Sequence, residues 1–196
     1  QCPRGAGTVV VDEKHEIVAE SVIIATGASA KYLGLPSEAI YNNRGVSACA
    51  VCDGYFYRGK EVAVVGAGDS GAEESTYLAK LCTKVHLIVR RDEMRASKIM
   101  QQRVLNTPNI EIHWNTETEE ILGDANGVTG VRVVNNKTGN KSDIPIEGFF
   151  LAIGHKPNTD IFRGILDMDE TGYIQVLPGS TKTNVPGVFA VGDAAP

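Results

Sequence analysis

The spacing of apolar positions changes several times along the chain, and each change predicts an element. TVVVDEKHEIVAESVIIATG carries three short β-rich runs, a turn at Asp12 to Lys14 and an abrupt stop at Thr26-Gly27, the pattern of a small sheet. The stretch from Ala28 to Arg44 is mixed and is broken by Gly34 and Pro36, so it reads as connection rather than core. From Lys60 the pattern sharpens. EVAVVG is an apolar run predicted as a buried strand, DSGAEESTYLAKLC repeats its apolar residues at helical spacing, and KVHLIVR is a second strand. Together they predict a βαβ unit. A further helix is expected from Ala96 to Leu105 and a strand at NIEIHW, continuing a parallel sheet covered by helices. ETEEILGDANGVTGVRVVNNKTGN and KSDIPIEGFFLAIG alternate around Asn-Gly and Thr-Gly turns as an antiparallel meander and a returning strand. Beyond Lys156 the chain ends in TNVPGVFAVGDAAP, a buried strand that runs into Gly-Asp.

Composition narrows the class. With 196 residues, 42% hydrophobic and 22% charged, the chain can bury one generous core or two modest ones and is expected to be globular. A net charge of -5, with no basic cluster beyond VRRDEMR, argues against a nucleic-acid partner. No apolar run approaches the roughly 18 residues of a membrane span. Four cysteines are too few for a disulfide scaffold, which makes a reducing, cytoplasmic setting the expectation. The first residues show neither a methionine nor a signal-like apolar stretch, so the chain is expected to open in mid-protein.

The sharpest chemical signal is GAGDSG. It follows a clean strand, opens a clean helix and precedes a second strand, which is the context the dinucleotide fingerprint requires. Gly66 permits the tight turn, Gly68 lets the backbone approach a pyrophosphate, and Gly71 lets helix and strand pack closely. Asp69 and Ser70 complete the candidate turn, at the positive end of the helix. The alternative is an ordinary strand-helix turn. At the end of the second strand, where NAD-binding folds place an acid, stand Arg90 and Arg91, with Arg95 a helical turn on. Guanidinium forks suit a 2′-phosphate and favour NADPH. The other reading is a solvated basic turn. Asp92, adjoining them, is expected to orient an arginine rather than to bind ribose.

CAVCDG, residues 49 to 54, sets two thiols three positions apart. A zinc half-site would need a second pair of ligands, yet His15, His86, His113 and His155 are scattered singly and Cys2 and Cys82 have no partner spacing, so no metal is expected. A structural disulfide would close a loop too small to remove much unfolded-state entropy. Redox exchange remains, with Cys49 and Cys52 alternating between dithiol and disulfide through mixed-disulfide attack. Asp53 either moves a proton for the departing thiolate or serves as a turn-forming or capping acid. Because a hydride is not commonly delivered straight to a disulfide, an intermediary such as flavin is expected. Among lone residues, Cys82 reads as a small core hydrophobe and His113 and Trp114 as strand-end packing.

ATGASAKYLGLPSE, GVSACAVCDGYFYRGKEVAVVGAGDSGAEE, RRDEMRA, FFLAIGHKPNT and TNVPGVFAVGDAA together resemble the low-molecular-weight thioredoxin reductase family, across essentially the whole chain and in the family's order. The resemblance implies a Rossmann-like, three-layer NADPH-binding domain, a parallel sheet with helices plus an antiparallel meander, over residues 31–154. It implies that this domain is inserted between residues 1–30 and 155–196 of an FAD-binding domain. It places Cys52 against the flavin, makes Cys49 the interchange thiol toward thioredoxin and Asp53 the proton donor. It also sets Thr26-Gly27 near the flavin and Gly192-Asp193 on its ribityl and phosphate portion, with His155 toward the nicotinamide. Gly34 and Gly154 become candidate pivots for rotation of the NADPH domain, and the intact protein is expected to be a homodimer. Family members often carry His at Val89 and Ala at Gly71. The family's first GxGxxG and closing helix have no counterpart, so these residues are expected to be a fragment that binds NADPH, lacks stable FAD and does not turn over thioredoxin alone. Two alternatives are the flavoprotein subunit of an alkyl hydroperoxide reductase and a noncatalytic NADPH-binding module.

Overall fold

In a computed structural model of the protein, residues 7–195 are described. Cys2 lies outside them. The described residues divide into two compact units, one formed by residues 7–29 with 155–195 and the other by residues 30–154. In chain order the elements are β1 (Gly7–Val11), β2 (His15–Ala19), β3 (Val22–Ile24) and β4 (Ala28–Ala30), then α1 (Pro36–Tyr41), β5 (Val46–Ser47) and α2 (Ala50–Asp53). A 3-10 turn at Gly54–Tyr57 leads to β6 (Glu61–Val65), α3 (Asp69–Leu78), β7 (Lys84–Ile88), α4 (Lys98–Leu105) and β8 (Ile110–His113). There follow β9 (Thr116–Asp124), β10 (Gly127–Asn135), β11 (Lys141–Pro145), β12 (Gly148–Leu151), β13 (His155–Pro157) and β14 (Val188–Ala190).

The unit of residues 30–154 is three layers deep. Its centre is a five-stranded sheet in the order β5-β12-β6-β7-β8, and every pairing in it is parallel. Parallel strands are covered on both faces, which is why EVAVV reads as an unbroken apolar run. Successive residues of that run serve opposite cores. Val62 and Val64 join Val85, Leu87, Phe150, Ala72, Leu78 and Val104 on the helical side. Ala63 and Val65 join Ile88, Phe149, Ile121, Val131 and Ile144 on the side of the antiparallel β11-β10-β9 meander. Cys82 belongs to the helical-side core, where burial pushes its thiol up to about 11, so it is an inert packing residue.

Residues 28–44, expected as connection, contain β4 and α1. The physical reason is Glu38. Its carboxylate accepts the N–H groups of Leu33, Gly34 and Leu35 at 2.8–3.0 Å and is buried at 3% exposure. An acid in that position satisfies the free donors at a helix start, and Pro36 at the first turn lacks an N–H to satisfy. Ser37 Oγ then accepts the Ile121 N–H and ties this short helix to the meander. The helix expected from Ala96 begins two residues later, because Ala96 itself donates to Ala67 O.

The unit of residues 7–29 and 155–195 holds an exposed β1-β2 hairpin and the parallel pair β3-β14, whose Ile24 and Ala190 join Leu166, Ile174 and Ala194 in a smaller core. Among the described residues no helix is long and apolar enough to cross a membrane.

Phe150 is fully buried and meets Tyr57 edge-on, with ring centroids 5.3 Å apart. We expect Phe150→Ala to cost about 3–5 kcal/mol in urea unfolding of the chain, whereas a loss under 1 kcal/mol would contradict the packing described.

Candidate functional site

Strand β6 ends at Val65 and the chain turns at Gly66, whose φ of 129° is accessible only to glycine without strain. A Cβ there would also lie 2.2 Å from the Ala152 carbonyl oxygen, just past β12. A Cβ at Gly71 would meet the Gly66 carbonyl oxygen at 2.2 Å. The turn is therefore compressed from two sides, by the neighbouring strand and by the helix that follows. At Gly68, which caps α3, a Cβ would meet nothing within 4 Å. The three glycines thus separate into one that turns, one that faces open space and one that packs.

The open space is a cleft of about 600 Å³ at the carboxyl ends of β6 and β7, lined among others by Gly66, Gly68, Ser70, Arg90, Arg91 and Arg95. Ligands of open parallel sheets bind at that end of the strands. All three arginines are exposed, and among the described residues none forms an ion pair. Asp92 does not orient them: it is exposed and forms no ion pair either. Asp69 is placed differently from Ser70. Its carboxylate accepts the Ser97 N–H at 2.9 Å, and that bond holds its pKa below the usual carboxylate range. It fastens α3 to the start of α4 and is not among the cleft-lining residues. Across the cleft, Thr118 lines the wall with a buried hydroxyl that has no hydrogen-bond partner. An orphan hydroxyl, three unpaired guanidiniums and an unobstructed backbone at Gly68 fit a polyphosphate ligand carrying hydrogen-bonding groups. Sequence reasoning missed Thr118 because a threonine in a β-rich run carries no signal of its own.

Cys49 and Cys52 are joined by a disulfide, with Cα atoms 5.3 Å apart. Cys49 is the N-cap of the one-turn helix α2, and its Sγ accepts the Cys52 N–H at 3.2 Å. Cys49 is half-buried and Cys52 exposed. Asp53 ends α2 and opens the following turn without any side-chain capping bond, which removes the capping reading considered above. Its charge adds to burial in raising the pKa of Tyr57.

Beneath the start of α2 lies a group that sequence reasoning passed over. Glu74, on α3, has a buried Oε2 with no partner, and burial raises its pKa to about 7, against a lowering pull from the Ala50 N–H. The signal was available: Glu74 falls between Gly71, Ser75 and Leu78, the buried stripe of α3.

Thr26, Gly27, His155, Gly192 and Asp193 lie in the other unit. Thr26-Gly27 follows β3 and Gly192-Asp193 follows β14, so both lie past the carboxyl ends of a parallel pair. Gly27 and Gly192 take φ of 68° and 66°, with nothing within 4 Å of an added Cβ. The same holds at Gly34 and Gly154, at 86° and 95°, in the unit of residues 30–154. His155 is exposed on β13.

Residues 2–196 match the pyridine nucleotide-disulphide oxidoreductase family. The chain is 52% identical over 190 residues to a thioredoxin reductase of Dictyostelium discoideum, covering 95% of this chain and 59% of that protein. It is 50% identical over 189 residues to a thioredoxin reductase of Escherichia coli O157:H7, covering 92% and 59%. Among solved structures, thioredoxin reductase from Giardia duodenalis superposes with a TM-score of 0.83 at 43% identity, covering 95% of this chain and 61% of that one. The Lactococcus lactis enzyme in its FR conformation superposes at 0.81 and 38% identity, covering 96% and 61%. The chain therefore spans less than two thirds of the length of these relatives.

Glu74 generates a pH dependence of defined sign. Its folded pKa of about 7 lies above the ordinary 4.5, so the folded chain keeps a proton that the unfolded chain releases. Stability attached to this group is complete below pH 4.5 and is lost as pH rises to about 7. The Glu74→Gln chain is expected to gain on the wild type in urea unfolding over that interval; a difference that does not vary with pH would contradict the assignment.

Proposed function

The chain belongs to the pyridine nucleotide-disulphide oxidoreductase family, and we propose that it is the NADPH-binding and disulfide-bearing part of an FAD-dependent thioredoxin reductase. The observation that carries this reading is a disulfide on a one-turn helix in the same unit as a strand-end cleft rimmed by unpaired arginines. A purely structural disulfide would not account for the arginines, and a simple nucleotide-binding module would not account for the thiol pair.

When bound, the pyridine nucleotide supplies a hydride and the flavin relays its electron pair to a disulfide. The chain's own residues do the rest. The turn from Gly66 to Ser70 offers backbone N–H groups to a pyrophosphate, and Arg90, Arg91 and Arg95 grip a 2′-phosphate. Thr26, Gly27, Gly192 and Asp193 hold the flavin. Two electrons and two protons open the Cys49–Cys52 bond to a dithiol. The Cys52 N–H, already donated to Cys49 Sγ, favours the thiolate form of Cys49. That thiolate attacks one sulfur of the thioredoxin disulfide, forming a mixed disulfide and releasing the other sulfur as a thiolate. Cys52 then attacks Cys49 Sγ, which restores the internal disulfide and frees the second thioredoxin thiol. Asp53, beside Cys52 and free of any capping bond, carries the proton to the departing thiolate. A reducing cytoplasm suits this cycle, and the intact enzyme is proposed as a homodimer.

Two experiments test the reading. In the full-length protein, Cys49→Ser should abolish thioredoxin reduction while leaving NADPH-to-flavin electron transfer intact; thioredoxin turnover by that variant refutes the assignment. On the 196-residue chain, Arg90→Ala and Arg91→Ala should each weaken NADPH binding by about 10–100-fold, the loss of a charge-assisted hydrogen bond. NADH binding, followed by the same fluorescence quenching, should hardly change. Equal losses for both coenzymes would remove the arginines from a 2′-phosphate site.

A further inference from the structure

Away from the cleft, the central sheet carries a second constellation of polar side chains. β7 and β8 pair in parallel, with His86 opposite Glu111 and Ile88 opposite His113, and Ala63 of β6 lies opposite His86. Ile110 and Ile112 pack into the helical-side core, so Glu111 and His113 project on the meander side, as His86 does. The histidines scattered in sequence are therefore not all isolated: parallel register brings two of them to one face. His86 Nδ1 and His113 Nε2 lie 3.0 Å apart. Glu111 Oε1 is 3.5 Å from the same His113 nitrogen, and all three ligand atoms fall within 4.8 Å of one another.

These separations have a simple meaning. Two ligands bound to one ion at roughly 2.0–2.1 Å must themselves stand about 3–3.5 Å apart. The other nitrogen of His86, Nε2, is 3.1 Å from Glu61 Oε2. When Nε2–H donates to Glu61, the neutral ring keeps its lone pair on Nδ1, aimed at His113. A carboxylate holding the far nitrogen of a ligating imidazole is the usual outer support of a metal site. Glu111 is supported too, since Lys84 pairs with its Oε2 and leaves Oε1 for the cluster. His86 is buried, His113 partly so, and Glu111 exposed, which leaves one side open to solvent for entry and for a water ligand.

We propose that His86 Nδ1, His113 Nε2 and Glu111 Oε1 form a binding site for a first-row divalent cation such as Zn2+, with Glu61 orienting His86. Two imidazoles and one carboxylate are a donor set for Zn2+ or Co2+ rather than for Mg2+ or Ca2+. The ion clips the sheet's edge strand β8 to β7; its ligands are not among the residues that line the carboxyl-end cleft, and the site is independent of the redox reading. Binding needs no net redox change: His113 carries its proton on Nδ1 and offers Nε2, while Glu111 rotates at the solvent edge to close the coordination.

The test uses the 196-residue chain with Cys2→Ser and the Cys49–Cys52 disulfide intact, so that thiolates do not compete for metal. Titration with Co2+ should produce the visible absorption of a low-coordinate ion at one equivalent, reversed by Zn2+, and Zn2+ should raise the thermal midpoint. Glu61→Gln should lower Zn2+ affinity by about 10–100-fold. His113→Ala, checked for folding by circular dichroism, should abolish the Co2+ spectrum; Glu111→Gln, at the exposed edge, gives the same reading if that variant does not fold. The proposal fails if the wild-type chain gives no Co2+ absorption, or if the folded His113→Ala or Glu111→Gln chain binds as tightly as the wild type.

Discussion

Where β6 gives way to α3, the backbone at Gly66 passes so close to the Ala152 carbonyl that a single added carbon would sit 2.2 Å from it. The helix presses back through Gly71 onto the Gly66 carbonyl. This double contact sets the position of the α3 N-terminus relative to the sheet, and with it the floor of the cleft. It also explains why the turn is built of glycines with different duties. Two of them are required by steric exclusion inside the protein, and Gly68 alone by the need to leave space outside it. Asp69 extends the same constraint sideways, because its bond to Ser97 holds the segment that carries Arg95 against α3.

The disulfide-bearing helix is fixed by contacts of a different kind. α2 has one turn and little intrinsic stability. Its cap is the Cys49 sulfur itself, and its first residue packs fully buried into the helical-side core through Ala50. Glu74 sits below with an unpartnered oxygen, an arrangement that costs stability once the group ionises. Active regions commonly hold such destabilising groups where the surrounding core can support them. Here the support is the continuous apolar packing of Leu78, Phe150 and Val64 around α3 and the sheet.

Much of this was legible in the residue pattern. The strand, glycine turn, helix and second strand from Glu61 to Ile88 were readable because parallel strands buried on both faces leave an unbroken apolar run, and because a positive φ admits little besides glycine. The meander was readable from its turn residues. The segment from Ala28 to Arg44 was misread, since α1 depends on a single buried acid gathering three N–H groups, and in sequence Glu38 is one acid among many. The cap of α2 was not legible either: it is a sulfur, which carries no weight in propensity, while Asp53 stands at the start of the next turn without a capping bond.

Sequence by itself determined which residues can do chemistry: the thiol pair, the glycine turn and the arginines each follow from a local spacing, and local spacing survives folding unchanged. Tertiary structure alone decided which distant groups meet. Parallel register placed His86 against His113. Helix packing set Glu74 under the disulfide-bearing helix, and a strand crossing brought Ala152 onto Gly66. Such contacts join positions tens of residues apart, and their energies come from burial and exclusion, which no short stretch of sequence contains.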